Sequence, residues 1–289
     1  MFGLLNIDKP AGLTSRDVVN RVQRLVRPHK VGHAGTLDPL ATGVLVVAVG
    51  PATRLVEYVQ RMKKTYRGVF LLGRTSDTED ASGTVVELAS ARTPTLAEIE
   101  TVIPRFIGTI QQRPPAFSAL KVAGKRAYAM ARRGDAVELA ARPVEIHAIR
   151  IVRYEYPELE LLIECGSGTY VRSLGRDIAE ELGTGAVMSA LRRLAVGSFH
   201  AEEGFAVDQL SVDVIGERLV SASWAIRDLP QVVVDGDEAG RLRKGQSILN
   251  RFGASGEEVA ALDGAGGLVG IVVPAGRLEL RPVKCFGIE

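Results

Sequence analysis

Asp38 lies in a run whose residue types suit the presentation of a reactive group. From Gly32 to Gly43 the chain reads Gly-His-Ala-Gly-Thr-Leu-Asp-Pro-Leu-Ala-Thr-Gly. The three glycines permit a positive φ or a close approach of the backbone to a ligand, and Pro39 biases Asp38 away from helical geometry. A carboxylate held in such a loop can serve as a covalent nucleophile. The alternative is an aspartate that only caps its own turn, but the length of the run favours a chemical role.

Three further segments contain polar, aromatic and basic residues that could act together with the Asp38 segment. They are Asp8-Lys9-Pro10-x-Gly12-x-Thr14-Ser15, Lys63-Lys64-Thr65-Tyr66 and Gly166-Ser167-Gly168-Thr169-Tyr170-Val171-Arg172-Ser173-Leu174. Taken together, the four segments resemble the TruB family of tRNA pseudouridine synthases. The resemblance covers the chain to about residue 200 and continues more weakly beyond it.

This resemblance implies a fold and a reaction. The fold would be α+β, with a mixed, largely antiparallel central sheet flanked by helices and a small β-rich, PUA-like domain at the C-terminus. The reaction would isomerise uridine to pseudouridine at position 55 in the T arm of tRNA. It breaks the N1–C1′ bond, turns the base and joins C5 to C1′, so it needs no redox change, group donor or energy source. We therefore expect no cofactor, and since no pair of the four histidines has metal-ligand spacing, no metal.

The resemblance also assigns catalytic roles. It implies that Asp38 is the nucleophile, with attack at C1′ favoured over C6, although the sequence leaves both open. Arg172 would be its partner, and a guanidinium in contact lowers a carboxylate pKa. Tyr66 would form a flat wall against the base and help to remove the C5 proton.

Four more residues are predicted to bind the substrate after the uridine is flipped out of its stack. Tyr170 and Leu191 would line the pocket. His33 would lie against the RNA in the space that the flipped base leaves. Lys9 would contact phosphate, which positions an RNA without specifying its sequence.

The charge distribution points to a polyanionic partner. The net charge is only +2, yet residues 1–134 carry 20 Lys and Arg against 10 Asp and Glu. Residues 101–134 contain seven basic residues and no acidic one. Such a surface attracts RNA and makes binding dependent on salt, whereas a shorter charge run would be read as an ordinary solvated face.

Local patterns predict the elements that position these residues. A capping box at Thr14 begins a helix that ends by Pro28, and residues 44–49 and 66–72 read as strands. A second capped helix starts at Thr95, and a short helix is expected at residues 127–133. Strands over residues 145–154 and 159–165 precede a helix over residues 170–182. Because strands and helices do not alternate regularly, a mixed sheet is favoured over a doubly wound one.

We predict a domain boundary near Leu229-Pro230. Residues 1–229 would form the catalytic domain and residues 230–289 a PUA-like RNA-binding domain. Strands near residues 232–234, 259–262, 268–273 and 278–286, with a helix near residues 238–244, make this second unit β-rich. The chain shows no signal peptide or membrane-length apolar run, so we expect a cytoplasmic protein.

Two other functions stay open. One is a non-catalytic RNA-binding or tRNA-folding protein that uses the basic face. The other is a guide-RNA-dependent pseudouridine synthase subunit, which would share these motifs. A short N-terminus and a compact tail favour a version that needs no guide RNA. We also expect no obligatory protein partner and a monomer.

Overall fold

A computed structural model of the chain describes residues 1–118, 121–122, 125–126, 130, 139–255 and 257–287. The short helix predicted at residues 127–133 lies outside the described residues apart from Met130. The same holds for the basic side chains between residues 119 and 138. Within the described part, no helix is long and apolar enough to cross a membrane.

Four of the α-helices agree with sequence patterns that predict them, and those over residues 56–61 and 212–218 were not predicted. Thr14 and Thr95 each accept a hydrogen bond from the backbone of the third helical residue, which completes two capping boxes. The helices are α1 (Ser15–Leu25), α2 (Val56–Arg61), α3 (Leu96–Val102), α4 (Val171–Glu181), α5 (Val212–Arg218) and α6 (Gly236–Arg243).

The strands fall into two large sheets and two short hairpins. They are β1 (Gly3–Lys9), β2 (Val31–His33), β3 (Thr42–Val49), β4 (Lys64–Leu72), β5 (Arg74–Ser76), β6 (Val85–Glu87), β7 (Gly108–Gln112), β8 (Lys121–Val122), β9 (Lys125–Arg126), β10 (Arg142–Glu155), β11 (Glu158–Cys165), β12 (Ala186–Val196), β13 (Phe199–His200), β14 (Phe205–Ala206), β15 (Gln231–Val233), β16 (Ile248–Leu249), β17 (Val259–Leu262), β18 (Leu268–Ala275) and β19 (Glu279–Cys285).

The first sheet has ten strands in the order β14-β1-β3-β12-β4-β11-β10-β7, with β13 on β12 and β2 on β3. Its pairs are antiparallel except β1 with β14 and β3 with β12. The predicted α+β class with a mixed, largely antiparallel sheet is therefore confirmed. The sequence patterns did not predict β12, although it lies at the centre of this sheet.

Strand β3 is buried on both faces, which explains its continuous apolar sequence. Leu45, Val47 and Val49 pack in a cluster with α1, α3 and α4. Val44, Val46 and Ala48 face the opposite cluster, which includes α2 and residues of the second sheet. The segment that follows the Asp38 loop is thus fixed from both sides.

The second sheet has five strands, ordered β15-β17-β18-β19-β16, all within residues 231–285. Helix α6 packs on it around Leu242 to form a small core of its own. Its other contacts reach the first sheet's helices and N-terminus: Phe286 stacks on Phe2 with ring centroids 5.4 Å apart, and the Tyr58 hydroxyl donates to Glu258 at 2.9 Å. Apolar packing and polar contacts together hold the two sheets against each other.

Candidate active site

The Asp38 loop is held by the first turn of α1 and by the turn after β1. Ser15 at the start of α1 accepts a hydrogen bond from the Leu37 amide at 2.8 Å and donates to its carbonyl at 3.2 Å. The Gly12 amide donates to the Pro39 carbonyl at 2.8 Å. Leu37 is buried in the core, so the residues beside Asp38 are anchored while its carboxylate faces a cavity.

Arg172 approaches Asp38 from the first turn of α4. Its Nη2 lies 3.5 Å from Asp38 Oδ1 and donates to the Phe117 carbonyl at 2.8 Å. Arg172 is 6% exposed, whereas the Asp38 side chain keeps 33% of its surface accessible. The two residues that the sequence places 134 positions apart therefore meet at one wall of the cavity.

A second carboxylate, Asp80, shares this guanidinium. Arg172 Nη1 lies 3.4 Å from Asp80 Oδ2 and donates to the Thr78 carbonyl at 3.1 Å. Asp80 is itself fixed by hydrogen bonds from the Thr78 hydroxyl at 2.8 Å and the Ser82 amide at 2.9 Å. The sequence analysis missed Asp80. The only signal for it is an acidic run with Ser and Thr before Gly83, which is also typical of a surface turn.

The electrostatic environment of Asp38 differs from the sequence expectation. Burial raises the pKa of Asp38, Arg172 lowers it, and the charge of Asp80 raises it again. The net direction is upward, so the expectation of a lowered pKa was wrong. Arg172 acts in the expected direction, but the loss of water around the carboxylate is the larger effect.

One cavity of about 280 Å³ brings together most of the residues that the sequence singled out. Asp38, Tyr66, Tyr170, Arg172 and Leu191 all line it. Tyr66 and Leu191 come from the neighbouring strands β4 and β12. A cavity of this size, with an aromatic wall and a carboxylate opposite a guanidinium, is suited to a flat polar ring.

Tyr170 is fixed at the N-terminus of α4 by its backbone. Gln112, which is fully buried, accepts from the Tyr170 amide at 2.8 Å and donates to its carbonyl at 3.1 Å. The Arg142 guanidinium lies 5.2 Å from the centre of the Tyr170 ring, a cation–π arrangement. Tyr170, held by these contacts, lines the cavity.

Comparison with known proteins identifies the family to which the chain belongs. The model of the TruB family pseudouridylate synthase N-terminal domain matches residues 23–171, and that of the tRNA pseudouridylate synthase B C-terminal domain matches residues 172–228. The chain belongs to the TruB family. Its members are pseudouridine synthases, which are isomerases.

Relatives in this family match nearly the whole chain. A protein named tRNA pseudouridine synthase B from Arthrobacter sp. (strain FB24) is 42% identical, covering 99% of this chain and 97% of its own length. One of the same name from Cereibacter sphaeroides is also 42% identical, covering 99% and 96%. Among solved structures, a chain of a Cbf5-Nop10-Gar1 complex is 25% identical with a TM-score of 0.75, covering 98% of this chain and 84% of that chain.

Lys9, which was predicted to contact phosphate, does not expose its side chain to solvent. Its side chain is fully buried, and Nζ donates to the carbonyls of Leu13 at 2.6 Å, Pro10 at 2.9 Å and Pro39 at 3.3 Å. Burial lowers the pKa of Lys9 to about 8. The prediction of a phosphate contact was wrong because backbone carbonyls of the turn and of the Asp38 loop occupy the ammonium.

His33 lies on β2, half-buried and outside the residues that line the cavity. Burial and the charges of Arg16 and Arg193 lower its pKa, so the ring is neutral at neutral pH. Its Nδ1 is buried without a hydrogen-bond partner among the described residues. Its predicted role, contact with RNA in the space that the flipped base leaves, stays a prediction.

The cavity is also lined by three basic residues to which the sequence analysis gave no role, Lys64, Arg142 and Arg193. Lys64 is 6% exposed, donates to the Gln60 carbonyl, and has its pKa lowered to about 8 by burial. Arg193, on β12, is 1% exposed. Within the described residues no three His, Cys, Asp or Glu side chains are grouped to hold a metal ion.

Proposed function

We propose that this TruB-family chain converts uridine to pseudouridine at position 55 in the T arm of tRNA, with Asp38 as the covalent nucleophile. The observation that carries the proposal is the 3.5 Å contact between Asp38 and Arg172 at the wall of a cavity that also contains Tyr66. A protein that only binds RNA has no need for a carboxylate and a guanidinium that face a ring-sized space.

The mechanism follows from the positions of these groups. Asp38 attacks C1′ of the everted nucleoside, and the N1–C1′ bond breaks with its electron pair on the uracil. The base turns against Tyr66 and Leu191, whose apolar surfaces permit rotation without holding one polar edge. C5 then attacks C1′ and releases the carboxylate. Tyr170, which also lines the cavity, limits the displacement of the base.

The exposed surface of α1 is suited to bind the phosphates of an RNA backbone. Arg16, Arg21 and Arg24 on α1, with Arg27 just after it, are exposed and have no carboxylate within 4 Å among the described residues. Unpaired guanidinium groups beside the Asp38 loop suit contacts to an RNA backbone. We assign residues 230–289 to a PUA-like unit that extends this RNA surface, and we propose that the chain acts alone as a monomer.

Site mapping on an unmodified tRNA transcript tests the function. The purified chain alone should form pseudouridine at position 55, and Asp38→Asn should form none while still binding the transcript. Product at another uridine would overturn the substrate assignment. Turnover that requires an added guide RNA or protein would favour the guide-dependent alternative, and unchanged turnover in Asp38→Asn would remove Asp38 from the mechanism.

A further inference from the structure

Arg193 is a buried cation that the proposed reaction does not yet use. Its side chain is 1% exposed. Nε donates to the Val44 carbonyl at 2.7 Å and Nη2 to the Gly35 carbonyl at 3.1 Å. Among the described residues no carboxylate lies within 4 Å of it, so backbone dipoles alone hold the charge.

A buried guanidinium without a carboxylate is costly to maintain, and arginine does not lose its proton inside proteins. Its charge acts on the groups around it: Arg193 lowers the pKa values of Lys9, His33 and Lys64. The wall of the cavity formed by β4 and β12 is therefore positive. Such a wall favours a neighbouring group that becomes negative during a reaction.

That neighbour is Tyr66. The antiparallel register of β4 and β12 places Arg193 directly opposite Tyr66, and side chains at opposite positions of a strand pair contact each other on one face. Both line the cavity. The groups that face the phenol are Arg193, Cys165 and Asp38. Burial is the largest effect and leaves the pKa of Tyr66 above its ordinary value, and the charge of Arg193 opposes that rise.

We propose that Arg193 is a positioning residue that stabilises Tyr66 as a phenolate, the base that accepts the C5 proton. The proposal rests on the proposed function. After C5 has bonded to C1′, C5 carries both the sugar and a hydrogen. The phenolate takes that proton, the C–H electron pair restores the C5=C6 double bond, and N1 takes a proton from solvent. Tyr66 then returns its proton to solvent.

Isotopic substitution at C5 separates this role from a structural one. We compare turnover of transcripts that carry 5-hydrogen or 5-deuterio uridine, for the wild-type chain and Arg193→Gln. The variant should turn over about 10²-fold more slowly and should show a primary isotope effect larger than that of the wild type, because removal of the C5 proton becomes limiting. Its KM should change little.

Arg192→Gln is the matched control, because Arg192 is the preceding residue of β12, points away and pairs with Asp8 at 2.8 Å. It should leave the isotope effect unchanged. Arg193→Lys keeps the positive charge and replaces Arg193→Gln in the experiment if that variant does not fold. Its turnover should be faster than that of Arg193→Gln, and its isotope effect should be smaller. Carbon-13 NMR of labelled tyrosine, with Tyr66→Phe for assignment, should show the Tyr66 pKa higher in Arg193→Gln.

An isotope effect equal to that of the wild type in both Arg193 variants would overturn the proposal. A slow variant with that result would mean that Arg193 acts only by holding the Asp38 loop through Gly35, since cleavage of N1–C1′ would then be limiting. Failure of the proposed function looks different: the wild type itself would form no pseudouridine, or Asp38→Asn would retain full turnover.

Discussion

At the scale of single residues, burial and neighbouring charges have opposing effects on the pKa of Asp38. A nucleophilic carboxylate must be ionised, yet burial raises its pKa and Asp80 raises it further. Arg172 provides the opposing charge. Burial and the guanidinium shared between two carboxylates thus act in opposite directions on the ionisation of Asp38.

This balance predicts opposite shifts in the pH profile. The proposed role of Asp38 requires the ionised carboxylate, so the rate should fall as the pH drops through the pKa of Asp38. A raised pKa places this acid limb above the ordinary range for an aspartate. Arg172→Gln should move the limb to higher pH, because the lowering charge is removed. Asp80→Asn should move it to lower pH, because the raising charge is removed.

Single-turnover rates between about pH 4 and pH 8 measure both shifts, even where the residual activity is low. We expect each variant to lose about 10²-fold or more in rate at neutral pH, as is usual for groups that orient a reacting residue. Acid limbs that coincide with that of the wild type in both variants would show that Asp38 is not the group that titrates.

At the scale of elements, β3 and β12 are joined by only two register pairs, and these lie beside the site. Gly43 makes the pairing possible. Its φ is +98°, and a Cβ there would lie 2.1 Å from the Arg193 carbonyl oxygen. The backbone approach at Gly43 therefore fixes how β12 presents Leu191 and Arg193 to the cavity.

Gly43→Ala should lower the free energy of unfolding by about 2–5 kcal/mol, through left-handed backbone strain and the clash. Gly276→Ala is the control: its φ is +73° but nothing lies within 4 Å of the added Cβ, so it should cost only about 1–2 kcal/mol. Urea denaturation followed by circular dichroism measures both. Equal losses of unfolding free energy in the two variants would mean that the Arg193 carbonyl does not restrict a side chain at position 43.

Helix α1 carries a prediction about RNA binding. Replacing both Arg21 and Arg24 with Gln should weaken tRNA affinity and flatten the plot of log K against log salt by about 0.7–0.9 for each phosphate that the variant no longer neutralises. The rate at saturating tRNA should stay near that of the wild type. Arg153→Gln is the control, since Arg153 is already paired with Glu158; an equal change in its slope would argue against a specific α1 surface.

At the scale of the whole molecule, the second sheet packs on the first through a shared apolar cluster that includes Phe199, Ala260 and Phe286. Polar contacts at the edge, such as Lys284 with Glu57, add orientation. The five-stranded sheet has its own core, but part of its apolar surface is covered only by the other unit. Its stability therefore depends on this packing.

Phe286→Ala tests that dependence in the full chain. The ring is 2% exposed, so its loss should lower the free energy of unfolding of the packed unit by about 3–5 kcal/mol and accelerate proteolysis near residue 230. Val283→Ala on β19, three residues before Phe286, replaces a side chain that is 48% exposed and should cost less than about 1 kcal/mol. Proteolysis at the same rate in both would contradict tight packing.

The sequence alone determined the elements that have strong local signals and the residues that stand in motifs. The capping boxes at Thr14 and Thr95 and the apolar run of β3 depend on neighbouring residues, so local patterns predicted them. The resemblance carried by the four motifs predicted that Asp38, Tyr66 and Arg172 belong to one site, and all three line the same cavity. Strand β12 was missed because its sequence, Ala-Val-Met-Ser-Ala-Leu-Arg-Arg-Leu-Ala-Val, is rich in helix-forming residues and is a strand only because it pairs with β4.

Only the tertiary structure decided how the charges are placed. Lys9 was predicted to contact phosphate, and the sequence analysis gave Arg193 no role. Both are buried, and backbone carbonyls accept hydrogen bonds from their charged groups. Asp80 became a partner of Arg172, and Asp38 acquired a raised pKa, through burial that no local pattern reports. Desolvation depends on every atom nearby in space, and a sequence shows only the neighbours along the chain.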